Sequence, residues 1–504
     1  MNNFKNKRIL LFAPELEKAE YRGIAFYTKS LVKSLSSLGA EIWLVSSFNP
    51  YKLKIKEFNE SSRNYICNYE ILQKFYNGSS TVFNNKEFFT NNRVLNFLTS
   101  YLNKSKFVIY FLNTLKVFLR NNKYDKKNTL EIKFNYKNDN PYLKFEKLSF
   151  MQNIAGFLCA PNISMNFNYR SILPFKNKII FNLDCYDFFI TSEPLNLISK
   201  KDIPIFQTIH DIIPLEFDPN IFNTKSFYRK IKYSSINKNI FISEVTKNKF
   251  NHLISNKLKQ NKTYISESVI IQPPSLQFEN EENLSIYKNI LNSIYSEKKS
   301  NQLKKNKKSK KNKIIKNLQP FNYFLFNASI DRRKNVLLLI ESFINSEAQK
   351  NGIYLVITGQ LKDDEYSKKI REMIAINPGV ISTGYINEAK KSALYINALS
   401  LLSPSLIEGF GLPVLDACCL GLNCIASDCA SHREIQNLYD FKNFLNLYPP
   451  TSSIKWSDIF YNEKFFKNNN PESTQKSRFE RYKKYKKILE DNFRSNLENI
   501  INSK

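Results

Sequence analysis

Short apolar segments alternate with stretches of helical periodicity at the start of the chain. RILLFAP at 8–14 predicts a buried strand, and EIWLVSS at 41–47 predicts a second one. Between them, apolar residues at helical spacing from Ile24 to Leu38 predict an amphipathic helix, and Gly39 is suited to cap its end. This strand–helix–strand order is the building block of a parallel sheet covered by helices.

The same alternation returns after a less regular region. Residues 51–150 are rich in Asn, Lys, Phe and Tyr with weak periodicity, and we interpret them as further helices with an insertion. Apolar runs predict strands at 177–183, 203–211, 237–243 and 268–274. Within 279–318, the run of Lys and Asn at 300–316 predicts a solvated linker.

The second half of the chain repeats this organisation. Five apolar runs predict strands at 323–329, 353–359, 379–385, 399–405 and 423–428, and helical patterns separate them. We therefore predict an α/β protein with two Rossmann-like, doubly wound domains. The first covers 1–318 with an insertion at about 51–150, the second covers 319–470, and a charged helix at 471–504 packs back toward the first domain.

The net charge of +30 invites a nucleic-acid or membrane interpretation. Only 14 of the 75 basic residues are Arg, the residue expected where bases or phosphates are bound bidentately. We favour a compositional bias toward Lys and Asn as the source of this charge. Contact with an anionic membrane surface is the next explanation, and we expect no binding of nucleic acid. The longest apolar run, Phe107 to Leu119, is too short to cross a bilayer and is interpreted as a core or interfacial helix.

The seven cysteines include no CxxC pair. Four of them lie near His432 and could suggest zinc, but their spacing fits no common zinc site and core packing is favoured. We expect no metal and no cofactor. Without a signal peptide or a disulfide pattern, we expect a reducing compartment, the cytoplasm, with possible peripheral contact at the inner face of the membrane.

Candidate chemistry is concentrated in EGFGLPVLD at 408–416, directly after a predicted strand and before a predicted helix. Ligands of open parallel sheets bind outside the carboxyl ends of the strands. Gly409 and Gly411 permit a tight turn, and the helix that begins at Leu412 offers unpaired amides to a diphosphate. Asp416 is the polar side chain of an otherwise apolar segment, and either a protein partner or the hydroxyls of a ribose could bind it.

Other polar residues follow predicted strands at the same topological position. Arg333 and Lys334 follow the strand at 323–329 and could hold phosphates. His210 and Asp211 follow the strand at 203–211 in the first domain, and Gly23 begins a helix where a backbone could approach a phosphate. Each signal is modest, but their convergence on strand ends favours a ligand site over the separate structural explanations.

With these residues the sequence resembles glycosyltransferase family 4, retaining enzymes of the GT-B fold, over roughly 8–47 and 180–435. The segment from PSLIEGFGLPVLD to HREI resembles the E-x7-E signature of the family, and ASIDRRKN resembles the segment that ends in R-K-N, typical of a mannosyltransferase-like branch. IFQTIHDIIPLEFDP, NIFISEVTKNKF and YRGIAFYTKSLVKSL resemble family segments of the first domain.

The resemblance implies a nucleotide-diphosphate sugar, such as a GDP- or UDP-hexose, bound in a cleft between the two domains. The implied catalytic residues are Glu408 at the donor sugar, Arg333 and Lys334 at the diphosphate, and His210 beside the sugar. The implied substrate-binding residues are Gly23, Asp211, Gly409, Phe410, Gly411, Leu412 and Asp416, of which Asp416 takes the ribose-binding position.

The implied function is transfer of a hexose, with mannose favoured, to a glycan or lipid-linked acceptor in surface polysaccharide synthesis. Asp416 replaces a Glu of the family, and Asn327-Ala328-Ser329 lacks its usual glycine. The alternatives are an inactive scaffold with this fold or a basic nucleic-acid-binding protein. A phosphorylase or an epimerase explains the two motifs together less well.

Overall fold

The computed structural model describes residues 4–18, 23–53, 58–78, 106–134, 141–173, 178–201, 203–217, 221–253, 268–278, 318–346, 348–461 and 471–502. Its contacts divide the chain into two compact units. Unit 1 comprises residues 1–272 and 492–504, and unit 2 comprises residues 273–491. The predicted linker at 300–316 lies outside the described residues.

Unit 1 is built on a seven-stranded sheet. In chain order its strands are β1 (Arg8–Phe12), β2 (Glu41–Ser46), β4 (Leu130–Lys133), β5 (Gly156–Cys159), β7 (Phe188–Thr191), β9 (Ile205–Ile209) and β10 (Lys238–Phe241). The spatial order is β10-β9-β7-β1-β2-β5-β4, with every pair parallel except β4 and β5. A second, three-stranded parallel sheet contains β3 (Lys123–Asp125), β6 (Ile179–Asn182) and β8 (Leu197–Ser199).

Seven helices belong to the described part of unit 1 before residue 272. They are α1 (Gly23–Ser37), α2 (Glu60–Asn77), α3 (Lys106–Leu119), α4 (Ile163–Arg170), α5 (Ile213–Glu216), α6 (Ile221–Ser234) and α7 (Glu244–Leu253). The apolar run that ends at Leu119 forms α3, as its pattern predicts. No helix among the described residues combines the length and apolar character needed to cross a bilayer.

Unit 2 is built on a six-stranded, fully parallel sheet. Its strands are β11 (Tyr323–Asn327), β12 (Tyr354–Thr358), β13 (Val380–Gly384), β14 (Ser400–Ser403), β15 (Cys424–Ser427) and β16 (Leu445–Tyr448). The spatial order β13-β12-β11-β14-β15-β16 is the 3-2-1-4-5-6 order of the doubly wound Rossmann fold. Successive strands are added to one side of β11 as far as β13 and to its other side from β14 onward. The switch point between β11 and β14 is the position where such folds bind ligands.

The helices of unit 2 cover both faces of this sheet. They are α8 (Val336–Asn345), α9 (Glu365–Ile376), α10 (Glu388–Asn397), α11 (Leu412–Leu420), α12 (Ala430–Gln436) and α13 (Ser453–Asp458). The long C-terminal helix α14 (Pro471–Asn502) lies in unit 2 as far as Asp491, and its last residues group with unit 1. The core contains fully buried side chains of β11, α8 and α13, including Phe324, Leu339 and Trp456.

Three features differ from the sequence-based expectations. The run 268–274 does not form a strand; it contributes only an isolated bridge between Val269 and Phe241, because Pro273 and Pro274 cannot donate to a ladder. Strands β3, β4, β5, β7, β8 and β16 were missed, and β3 and β4 lie in the region 51–150 that was interpreted as helices with an insertion. Only one residue is buried in each of β3, β4, β8 and β16, so the apolar pattern of these strands is weak. The boundary between the units lies at 272 rather than 318, because residues 275–278 bind helices of unit 2.

Candidate functional site

The functional side chains of unit 2 follow the two strands at the switch point. Strand β11 is followed by Asp331, Arg333 and Lys334, and β14 is followed by Ser405 and Glu408. The two segments are joined by backbone, since the amide of Leu406 donates to the carbonyl of Arg333 at 2.7 Å. The topology thus brings together two motifs that are about 75 residues apart in sequence.

Glu408 is the centre of this cluster. Its Oε1 accepts hydrogen bonds from the ammonium of Lys334 and, at 2.8 Å, from the hydroxyl of Ser405. Its Oε2 lies 3.3 Å from Nη1 of Arg333, whose Nε lies 3.4 Å from Asp331. The side chains of Glu408 and Lys334 are 9% and 7% exposed, so this ion pair is largely removed from water.

The charge state of Glu408 follows from these partners. Burial alone would raise the pKa of its carboxyl, but Lys334 and Arg333 outweigh burial and hold that pKa at about 2. Glu408 is therefore a carboxylate at neutral pH, and it can accept hydrogen bonds from hydroxyl groups but cannot donate a proton.

Helix α12 holds the EGFG turn in place. The hydroxyl of Ser431 donates to the carbonyls of Glu408, at 2.7 Å, and Gly409, at 3.2 Å. Gly411 has a φ of 106°, and a Cβ at this position would lie 3.1 Å from Cδ2 of the buried His432. A glycine is therefore required both by the backbone conformation and by the close approach of His432. Phe410 is buried, and Leu412 begins α11 immediately after the turn.

The segment before IDRRKN lacks the glycine that is usual in family 4, but a glycine follows the neighbouring strand β12. Gly359 follows β12 with a φ of 117°, and a Cβ there would lie 2.1 Å from the carbonyl oxygen of Ala328. Asn327 is fixed by hydrogen bonds with Thr358, at 2.6 Å, and Tyr395, at 2.9 Å. The backbone that leads to Arg333 thus packs closely on the next loop without a glycine of its own.

Asp416 lies in the middle of α11, and its carboxylate is bound by Ser275 of the same chain. Its Oδ1 accepts from the amide of Ser275 at 2.5 Å, and its Oδ2 accepts from the hydroxyl of Ser275 at 2.6 Å. Nζ of Lys391 also lies 3.3 Å from that hydroxyl. Burial raises the pKa of Asp416 to about 6, although Lys391 and Ser275 oppose the rise. The side chain is 1% exposed.

His210 lies at the carboxyl end of β9 in unit 1. Its Nε2 is 2.8 Å from the carbonyl oxygen of Ser192, which can only accept, so Nε2 carries the proton and Nδ1 is left as an acceptor. Burial lowers the pKa of His210 to about 4, although Ser192 opposes the change. Tyr27 meets the imidazole edge to face, with ring centres 4.9 Å apart.

Glu15 is a further buried acid at this edge of the sheet of unit 1. Its Oε2 accepts from the hydroxyl of Ser192 at 2.7 Å, and its Oε1 accepts from Thr28. Burial raises the pKa of Glu15 to about 7, and the two hydroxyl groups oppose the rise.

Asp211 directly follows His210 in the chain. Its Oδ1 accepts a hydrogen bond from the amide of Ile213 at 3.1 Å.

The structure brings most of the candidate residues of unit 2 into one cluster. Glu408, Gly409, Arg333 and Lys334 are in mutual contact or adjacent to one another, whereas the carboxylate of Asp416 binds Ser275. In unit 1, Gly23 is exposed and begins α1, and His210 lies at the end of β9.

Several residues of these networks were missed by sequence reasoning: Glu15, Ser192, Ser275, Gly359, Ser405 and Ser431. They are single polar residues or glycines outside the motifs, although Glu15 and Gly359 each follow an apolar run directly. The described residues contain no group of three His, Cys, Asp or Glu side chains arranged to hold a metal ion.

Residues 304–445 match the family model of the glycosyl transferases group 1. TarM is similar in structure, with a TM-score of 0.51 and 13% identity over the whole of both chains. HepE from Anabaena, solved with UDP and glucose, has a TM-score of 0.48 and 11% identity, covering 98% of this chain and all of its own. Sucrose-phosphate synthase from Thermosynechococcus elongatus has a TM-score of 0.48 and 12% identity, covering 99% of this chain and all of its own.

No curated protein matches the chain. The group 1 match covers the switch point with both motifs of unit 2, and the likeness to TarM extends over both units. The fold is α/β with parallel sheets in two domains, which confirms the GT-B prediction of fold class. The match to the glycosyl transferases group 1 model thus covers residues 304–445, in the second half of the chain.

Proposed function

We propose that this chain transfers a hexose from a nucleotide-diphosphate sugar to a glycan or lipid-linked acceptor, with retention of the anomeric configuration. The observation that carries the proposal is the cluster of Lys334, Arg333 and Glu408 at the switch point of a group 1 domain. It combines two cations suited to a diphosphate with a fixed carboxylate suited to sugar hydroxyls.

The cations would stabilise the leaving group of the reaction. As the bond from the anomeric carbon to the diphosphate breaks, negative charge grows on the diphosphate oxygens, and Lys334 and Arg333 can neutralise it. The amides at the start of α11 and the positive end of its dipole would add to this effect. No metal ion is required for that role.

Glu408 would orient the donor sugar. Because its pKa of about 2 keeps it ionised, it can accept hydrogen bonds from hydroxyl groups throughout the physiological pH range. In unit 1, the neutral His210 keeps Nδ1 as an acceptor, and the resemblance to family 4 implies a position for this residue beside the sugar. Gly23 and the amides of Phe410 and Gly411 would contact the donor as the resemblance to family 4 implies.

The proposed sugar rests on the resemblance to family 4, and the proposed acceptor rests on the net charge. Mannose is favoured as the sugar because IDRRKN resembles the mannosyltransferase-like branch of family 4. A lipid-linked acceptor in surface polysaccharide synthesis would fit the net charge of +30, for which peripheral contact with an anionic membrane is the second explanation after compositional bias.

The test is turnover of defined donors. The purified chain would be incubated with GDP-mannose, UDP-glucose and ADP-glucose, with membrane extract as acceptor, and released nucleoside diphosphate would be measured. We expect release from one donor, loss of that release in Glu408→Ala, and a product whose anomeric configuration matches the donor by NMR. Equal release by wild type and Glu408→Ala would contradict the proposed site, and an inverted product would contradict retention.

A further inference from the structure

Unit 1 contains a cavity of about 510 Å³, lined by none of the candidate residues described above. It lies just beyond the carboxyl ends of β2 and β5, since Asn49 follows β2 and Pro161 follows β5. These two strands are parallel neighbours in the seven-stranded sheet. The cavity thus occupies the edge at which open parallel sheets bind ligands, and its size is typical of a small-molecule site.

The charge of the cavity lining is entirely positive among the described residues. Arg120, Lys123 and Lys127 contribute three cations, and no Asp or Glu is among the residues that line the cavity. Five asparagines and two tyrosines provide amide and hydroxyl groups around these cations. Such a lining suits an anion that also carries several hydroxyl groups.

Two polar atoms of the lining are buried without a hydrogen-bond partner among the described residues. They are Nη1 of Arg120 and Oδ1 of Asn166. Asn166 is 2% exposed, and its amide nitrogen donates to the hydroxyl of Tyr124 at 2.6 Å, which fixes the orientation of the amide. Buried groups of this kind are costly unless a ligand or water completes their hydrogen bonds.

The walls of the cavity are held by several hydrogen bonds. Buried Arg170 donates to the carbonyls of Val117, at 2.6 Å, and Arg120, at 2.9 Å. The side chain of Asn128 donates to the carbonyl of Lys123 at 2.8 Å. The cationic groups therefore project from backbone that is already fixed, which lowers the entropy lost when a ligand binds.

From these observations we infer that the cavity binds a phosphorylated sugar. The guanidinium of Arg120 can bind phosphate oxygens in bidentate fashion, and the ammonium groups of Lys123 and Lys127 add to the neutralisation. The amide groups of the lining asparagines can donate hydrogen bonds to sugar hydroxyls and accept hydrogen bonds from them. The phosphate belongs either to a free sugar phosphate or to a lipid headgroup that contains a phosphorylated polyol.

The role of this ligand rests on the proposed function. If the donor binds in the group 1 domain as proposed, a sugar phosphate bound by unit 1 would serve as the acceptor. The two proposals remain separable, because a nucleoside diphosphate reports on Lys334 and Arg333, whereas a sugar phosphate reports on Arg120.

The experiment is a calorimetric titration of the full chain with glucose 6-phosphate, glucose and inorganic phosphate, alongside UDP and GDP. We expect glucose 6-phosphate to bind more tightly than either of its parts, and Arg120→Gln to weaken that binding by about tenfold or more. Lys127→Gln is the second variant, since this exposed residue can be changed without disturbing the core. Binding of the nucleoside diphosphate should not change in either variant.

Lys126→Gln provides a matched control. Lys126 is adjacent in sequence but pairs with Asp184 at 3.0 Å and does not line the cavity. Competition by phosphatidylcholine vesicles that contain phosphatidylinositol, but not by phosphatidylcholine alone, would assign the phosphate to a lipid headgroup. Absence of such competition would assign it to a soluble sugar phosphate.

The proposal is overturned if glucose 6-phosphate does not bind to the folded chain. It is also overturned if Arg120→Gln and Lys127→Gln bind as tightly as Lys126→Gln does. Failure of UDP and GDP to bind, with glucose 6-phosphate still bound, would count against the proposed donor and leave this site supported.

Discussion

Asp416 in the middle of helix α11 is bound through both carboxylate oxygens by Ser275, whose amide and hydroxyl lie 2.5 and 2.6 Å away. Ser275 belongs to the segment that enters unit 2 at residue 273. The residue that aligns with a ribose-binding acid thus fixes the path of this segment onto α11. Removal of either partner would leave buried polar groups unsatisfied.

We therefore expect Asp416→Ala to lower the free energy of unfolding of unit 2 by about 3 kcal/mol at pH 4, where ionisation of Asp416 has not yet reduced the stability of the wild type, since Ser275 loses two acceptors. Asp416→Asn should cost much less, because its oxygen can accept from the Ser275 amide and its nitrogen can donate to the hydroxyl. The two tryptophans lie one in each unit, so urea denaturation in a Trp43→Phe background reports on Trp456 alone. Asp428→Ala, at an exposed ion pair with Arg433, is the control. Equal stability of Asp416→Ala and wild type would contradict this role.

The stability of unit 2 should also depend on the ionisation of Asp416. Its pKa is raised to about 6 from an ordinary value of 3.8. Between these pH values the unfolded chain has lost this proton and the folded chain retains it, so the free energy of unfolding falls as pH rises. The expected loss is on the order of 3 kcal/mol, and it should be absent from Asp416→Asn. Parallel pH profiles for the two proteins would show that Asp416 titrates normally.

Glu408 should have the opposite pH dependence. Its pKa is held at about 2, below the ordinary value of 4.5. The contribution of this carboxylate to stability is complete above pH 4.5 and is lost as pH falls toward 2. Comparison of acid unfolding in wild type and Glu408→Gln should show that the wild type loses more stability over this range. A variant that loses stability as steeply as the wild type would argue against the Lys334 pair.

Gly411→Ala should destabilise the EGFG turn by about 1–3 kcal/mol because of its positive φ and its contact with His432. Gly352→Ala is the matched control, since Gly352 has a φ of 76° and a Cβ there would contact nothing within 4 Å. The difference between the two variants, measured by urea denaturation, isolates the contact with His432. Identical losses would mean that backbone conformation alone requires glycine at position 411.

His210 should remain neutral throughout the physiological range. The chain has three histidines, so NMR of a sample labelled with ¹⁵N-histidine resolves each ring, and His210→Gln identifies the signal. We expect the tautomer with a proton on Nε2 and a pKa near 4. Titration of this ring near pH 6.5 would show that burial does not control its charge.

The sequence carried enough information for the fold class and for the cluster around Glu408. Apolar runs that alternate with helical patterns identified β11 to β15, and the motifs identified Glu408, Arg333 and Lys334 because both follow strands directly. Strands β5 and β7 were missed although β14 and β15, of the same length, were identified, because a short apolar run does not by itself separate a strand from a buried helical segment. Strand β16 is only partly buried, so its apolar pattern is weaker still.

The partner of Asp416 could not be found from sequence. From the local pattern, a ribose and a protein donor were equally acceptable, because both satisfy a buried carboxylate. Ser275 lies 141 residues away, directly after the apolar run at 268–274 that suggested a strand. Such long-range pairs depend on the tertiary path of the chain, which no local period encodes.

The most direct test of the proposed donor site is calorimetric titration with UDP, GDP and ADP in the absence of metal ions. The proteins compared are wild type, Lys334→Ala, Arg333→Gln and Arg332→Gln; Arg332 is exposed and is the control from the same triplet. We predict that one nucleotide binds and that the Lys334 and Arg333 variants bind it at least about tenfold more weakly. If no nucleotide binds the folded chain, or if Arg333→Gln binds as tightly as Arg332→Gln, the cluster around Glu408 is not a donor site.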